Sequence, residues 1–109
     1  MASSVGIAEF ICEQINGVGN IRYRKMFGDY MVYVNDRPIF LICDNNLYIK
    51  INEETKSFIG NDATEGYPYN GARLHYLVEF VDDKERMSDL AILLESITPL
   101  PKPKKKRSK

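Results

Sequence analysis

The sequence predicts an α+β domain: a two-layer sandwich with a mostly antiparallel sheet and helices on one face. Three observations predict it. Apolar residues recur at helical spacing near both ends of the chain, over residues 8–15 and 87–97. Runs rich in β-branched and aromatic residues, broken by short Gly, Asn and Asp turns, lie between them. A helix-start signal at Asn52 separates those runs into two groups. The expected order is helix, three or four strands, helix, two strands, helix.

The first helix takes Ser3 or Ser4 as its cap, since a hydroxyl there accepts from an unpaired amide of the first turn. Ala8, Ile11, Cys12 and Ile15 form its apolar face, with Glu9, Glu13 and Gln14 turned away, and Asn16-Gly17 ends it. A meander follows: Ile21 to Phe27, a Gly28-Asp29 turn, Tyr30 to Val34, an Asn35-Asp36 turn, Pro38 to Cys43, an Asp44-Asn45-Asn46 turn, then Leu47 to Ile51. Ile39 to Cys43 is apolar at every position, which predicts a strand covered on both faces. Leu47, Ile49 and Ile51 share one side of the next strand and Tyr48 and Lys50 the other, which predicts half-exposure.

Asn52 is expected to cap a short helix through Phe58, closed by Gly60. A second hairpin is predicted from Tyr67 to Tyr69, through Asn70-Gly71, into Arg73 to Val81. The last helix opens at Asp82 or Asp83 with Glu85 completing a capping box, and buries Met87, Leu90, Ala91, Leu94 and Ile97. Pro99 and Pro101 end it. The 109-residue chain is thus read as one domain over 1–100 and a disordered basic tail over 101–109.

Composition narrows the function. The mix of 44% apolar and 28% charged residues is that of a globular domain. No apolar run is long enough to span a bilayer, and the N-terminus shows no secretory pattern. Two cysteines without a CxxC pair fit a reducing compartment, so the expected location is the cytoplasm. The net charge of zero conceals an asymmetry: residues 1–101 carry nine basic and fifteen acidic side chains, while six basic residues crowd the last eight positions.

Catalytic constellations are missing from the sequence pattern. His75, the single histidine, sits in a predicted strand beside Leu77 and Glu79 with no second ligand near it, which argues against a metal or acid–base role. Cys12 and Cys43 fall on apolar faces and read as inert buried thiols. Asp82-Asp83 is explained by a helix start, and Gly17-Val18-Gly19 follows a helix rather than a strand, so it is no phosphate loop. No cofactor is expected. Tyr23, Phe27, Tyr30, Tyr33, Tyr48, Tyr67, Tyr69 and Tyr76 lie in or beside strands, where core packing competes with base stacking as their role.

The run Arg24-Lys25-Met26-Phe27-Gly28-Asp29-Tyr30, continuing through Val32-Tyr33-Val34-Asn35-Asp36-Arg37-Pro38, resembles the signature of the TfoX N-terminal domain family. Leu47 to Ile51, Tyr76 and the Pro-Lys-rich close are similar to later parts of the same domain, so the resemblance spans nearly all of 3–107. It implies a bacterial cytoplasmic protein of a family named for competence regulators, a two-layer fold like that of secretion chaperones, and no catalytic activity. Longer members carry a second domain of the helix-hairpin-helix kind, so the expectation here is a stand-alone N-terminal domain. Physically, Arg24, Lys25, Met26, Phe27 and Gly28 read as scaffold: Gly28 for a tight turn, Met26 and Phe27 filling the two faces at the strand end, Arg24 or Lys25 at the rim.

The first functional expectation is a non-enzymatic regulatory module that engages another protein. The alternative is direct nucleic-acid binding through Arg22, Arg24 and Lys25 together with Lys102, Lys104, Lys105, Lys106, Arg107 and Lys109. A homodimer through a sheet edge or a helix face is compatible with either reading.

Overall fold

Three helices and six strands follow in the order α1 (Val5–Gln14), β1 (Ile21–Met26), β2 (Asp29–Val34), β3 (Arg37–Cys43), β4 (Asn46–Lys50), α2 (Glu53–Ile59), β5 (Thr64–Gly66), β6 (His75–Val78) and α3 (Lys84–Ile97). They are those of a computed structural model, which describes residues 4–61 and 63–100. The expected tail, and Ser3 as a cap, lie outside the described residues; Ser4 does stand at the N-cap of α1, but its side chain makes no capping hydrogen bond. One sheet runs in the order β1-β2-β3-β4-β6-β5 with every neighbouring pair antiparallel. The α+β class read from the sequence is the class observed.

Three two-residue turns fold the meander: Phe27-Gly28, Asn35-Asp36 and Asp44-Asn45, each with positive φ at both positions. Such turns match the right-handed twist of the strands they join. Asn35 also takes the Asn20 amide on its side chain at 3.0 Å and gives its own amide to the Asn20 carbonyl at 2.7 Å. A Cβ on Gly19 would stand 2.9 Å from the side-chain nitrogen of Asn35, so a larger residue there would have to push aside the side chain that accepts from the Asn20 amide.

One face of the sheet holds the core. Tyr30, Val32, Phe40, Ile42, Leu47, Ile49, Tyr76 and Val78 cluster there with Ala8, Ile11 and Ile15 of α1 and Met87, Leu90, Ala91 and Leu94 of α3. The apolar run in β3 has a different cause from the one expected. The register skips Ile39 between Val32↔Phe40 and Tyr33↔Pro38, a bulge, and both Ile39 and Phe40 join the core. Leu41, on the other face, is half-buried.

Four further expectations need correction. Gln14 is buried, because its Nε2 donates to the Val81 carbonyl at 2.7 Å and ties α1 to the approach to α3. Tyr48 is also buried, seated against Gly66 and edge-on to His75. The last sheet pair is β5 with β6, joined by residues 67–74. Asn70-Gly71 turns within that loop, and Tyr67 and Tyr69 lie in it, exposed. Finally, Asp83 caps α3 by accepting from the Arg86 amide at 3.1 Å, which places Glu85 one residue short of a capping box. Around α2 the sequence reading holds: Asn52 and Thr55 exchange two 2.9 Å bonds as a capping box, and Gly60 closes the helix.

Candidate functional site

The β1–β2 hairpin places the family-like residues. Its ladder runs from Ile21↔Val34 to Met26↔Asp29 and leaves Phe27 and Gly28 as the two turn residues. Partners across an antiparallel pair share a face, so the pairing sorts the basic residues. Lys25 lies opposite Tyr30 on the core face of this edge strand, while Arg22 and Arg24, opposite Tyr33 and Met31, lie on the other. The three cations of the expected rim therefore do not form one patch. Arg22 is engaged locally: its Nε is 3.4 Å from Asp36 Oδ1 and its guanidinium lies 4.1 Å from the centre of the Tyr33 ring. Arg24 and Lys25 are exposed, and Lys102 to Lys109 lie outside the described residues.

Phe27 corrects the scaffold reading of the motif. It fills no face of the strand end. It stands at the first position of the turn with φ at +51° and its side chain wholly exposed, at 105%. A bulky L-residue in that region is an outlier, since its Cβ crowds the following carbonyl. Gly28, at +86°, occupies the second position without such strain. Sequence reasoning placed the turn one residue late, at Gly28-Asp29. Both placements are two-residue turns, and the pairing Met26↔Asp29 decides between them.

The remaining candidates sit apart from the hairpin tip. Burial, together with the charge of Asp29, a hydrogen bond to its carboxylate and the charge of Asp44, pushes the Cys43 thiol up to about 12. Burial and the nearby Glu9 raise Cys12 as well. Nδ1 of His75 is 2.8 Å from the Arg73 carbonyl, a contact within its own loop end. Among the described residues no group of three or more His, Cys, Asp or Glu side chains is placed to hold a metal ion. No helix among them is long and apolar enough to cross a membrane. The sheet aromatics are largely enclosed: Tyr30 and Tyr76 belong to the core, and Tyr33 and Tyr48 are each only 9% exposed.

The chain is 30% identical over 110 residues to a protein of Spirochaeta aurantia called an uncharacterized 12.7 kDa protein in the trpE 5′ region, and the match covers 100% of this chain and 95% of that protein. The sequence profile of the TfoX N-terminal domain matches residues 13–93, which takes in the whole sheet, α2 and most of α3. The chain belongs to the TfoX N-terminal domain family.

Proposed function

We propose that the chain is a non-enzymatic regulatory domain that acts by docking its β1–β2 hairpin onto another protein, with Phe27 as the anchoring side chain. The observation that carries this reading is the full exposure of Phe27 on a backbone that asparagine or glycine would hold without strain. A folded chain gains nothing from an aromatic ring in water at a strained turn. Burying it against a partner would contribute roughly 2 kcal/mol, or about thirtyfold in affinity. Family membership supports a regulatory role, and the competence regulators for which the family is named are the basis for linking it to transcription.

Photocrosslinking in cells tests the proposal. A benzophenone amino acid at position 27 is expected to capture one discrete protein that the same group at the exposed Ile92 of α3 does not. Identical adducts from both positions, or none from position 27, would end this reading.

A second reading rests on the six cations in the last eight residues. They would give salt-dependent binding of nucleic acid, with Arg24 and Lys25 as further contacts. Fluorescence anisotropy with labelled DNA and RNA at two salt concentrations decides it. Binding that disappears in a chain ending at Leu100 supports the tail as the arm, whereas two chains equally inert at low salt exclude it.

A further inference from the structure

A cleft opens in the sheet at the end away from Phe27. β3 and β4 pair from Leu41↔Tyr48 to Cys43↔Asn46 and no further, although β3 begins at Arg37 and β4 runs to Lys50. Each strand instead follows its other neighbour. β3 stays on β2 as far as Val34↔Arg37, and β4 stays on β6 as far as Lys50↔His75. Two local features favour the separation: the bulge at Ile39 bends β3, and Pro38 has no amide hydrogen for a ladder. The resulting cleft, of about 810 Å³, lies between residues 38–41 and 48–52 and is bounded by the end of α3 and the loop before β6.

Its walls are apolar and its charge has one sign. Tyr69, Ile51 and Leu74 line it while remaining 58%, 37% and 37% exposed. Large apolar side chains left exposed around one concavity mark a recognition surface. Lys50, Arg73 and His75 line it too, and among the described residues no Asp or Glu does. That contrast is sharp in a chain whose residues 1–101 carry an excess of six acidic side chains. The contact between His75 Nδ1 and the Arg73 carbonyl holds the loop end that carries Arg73.

We propose that this cleft binds an extended peptide segment of a partner protein in which apolar residues alternate with Asp or Glu. In an extended segment alternate side chains point to opposite sides, so one set meets the apolar walls while the other reaches Lys50 and Arg73. Its main chain can pair with the strand edges where the β3–β4 ladder has stopped. The chain's own residues 102–109 and the Arg24-Lys25 tip of a second copy would both bring like charge to the cleft. Nucleic acid would answer the cations but would set a phosphate backbone against Ile51 and Leu74. The cleft is separate from the Phe27 tip, so a failed crosslink at position 27 does not bear on it.

Selection of random short peptides displayed on phage, against the full chain, tests the proposal. The enriched sequences are expected to alternate apolar and acidic residues. Lys50 and Arg73 are exposed, so Lys50→Glu and Arg73→Glu keep the fold, as circular dichroism will verify. Each reversal is expected to weaken a selected peptide by about tenfold, and the double variant to select basic peptides instead. Enrichment without carboxylates, no enrichment at all, or binding indifferent to both reversals would overturn the proposal. So would a labelled single-stranded oligonucleotide that binds the native chain and is lost from the double variant.

Discussion

Phe27 holds φ at +51° in a turn position where asparagine or glycine sits without strain. Phe27→Asn is therefore expected to raise stability by about 1 kcal/mol in urea titrations, the usual cost of this region for a bulky side chain. Pulled down from cells, the same variant should no longer retain the protein that the benzophenone at position 27 identifies. A stabilising change that removes activity is the pattern left by a residue kept for binding rather than folding. Cys43 illustrates the opposite case, a side chain whose chemistry the fold suppresses. Its thiol is raised from the ordinary 9.0 to about 12, so folding favours the protonated form. Any stability this contributes is complete below pH 9.0 and is lost as pH rises toward about 12. Iodoacetamide at about pH 8 should alkylate Cys43 far more slowly in the native chain than in urea, since only the thiolate attacks. Equal rates would show that the site is open.

At the scale of single elements, a short-range signal is legible where the side chain finds its partner a few residues away, as at Asn52, and fails where it does not, as at Ser4, whose side chain makes no cap bond. Asn52 was legible as a cap because its partner lies three residues away, at Thr55. Thr55 does more than close the box: fully buried, it also donates to the Lys50 carbonyl at 2.8 Å and so fixes the exit from β4. Thr55→Val should destabilise the fold by about 2 kcal/mol in urea titrations, because the Lys50 carbonyl and the Asn52 amide both lose their hydroxyl partner. A change within a few tenths would show that water replaces the hydroxyl. The errors fall where a strand's course depends on its neighbour. The apolar run in β3 reads as a strand covered on both faces, yet the bulge turns two successive residues inward. The turn at Phe27 was misplaced for the same reason, since register across β1 and β2 decides which residue leaves the ladder.

Across the whole molecule, polar contacts of long sequence separation join elements that the chain places far apart. Gln14 Nε2 reaches the Val81 carbonyl, Lys84 Nζ reaches the Glu13 carbonyl at 2.9 Å, and the Ser88 hydroxyl reaches the Gln14 carbonyl at 3.2 Å. The last two bonds reach carbonyls in the final turn of α1, where the helix's own ladder has run out, and the Glu13 carbonyl takes the Asn16 amide at 3.2 Å as well. At the opposite end Arg37 binds Glu95 at 3.2 Å and the Thr98 carbonyl at 2.9 Å, locking the β2–β3 turn to the end of α3. Gln14→Ala is expected to cost about 1 to 2 kcal/mol, the penalty for a partly buried carbonyl left without its donor. Its tyrosine-fluorescence and circular-dichroism transitions should still coincide, because α1, α3 and the sheet share one core. Separated transitions would mean that α1 unfolds on its own.

The sequence by itself determined the α+β class, the element order, the helix cap at Asn52, and family membership through the run around Phe27. All of these depend on periodicity, capping and turn chemistry over a few residues. Only the tertiary structure decided that Phe27 stands in solvent and that Arg22 and Arg24 lie across the sheet from Lys25. It also decided that β3 and β4 part to leave a cleft lined by Lys50 and Arg73. Each of these depends on the pairing of strands across the sheet, where one skipped residue turns a side chain to the other face.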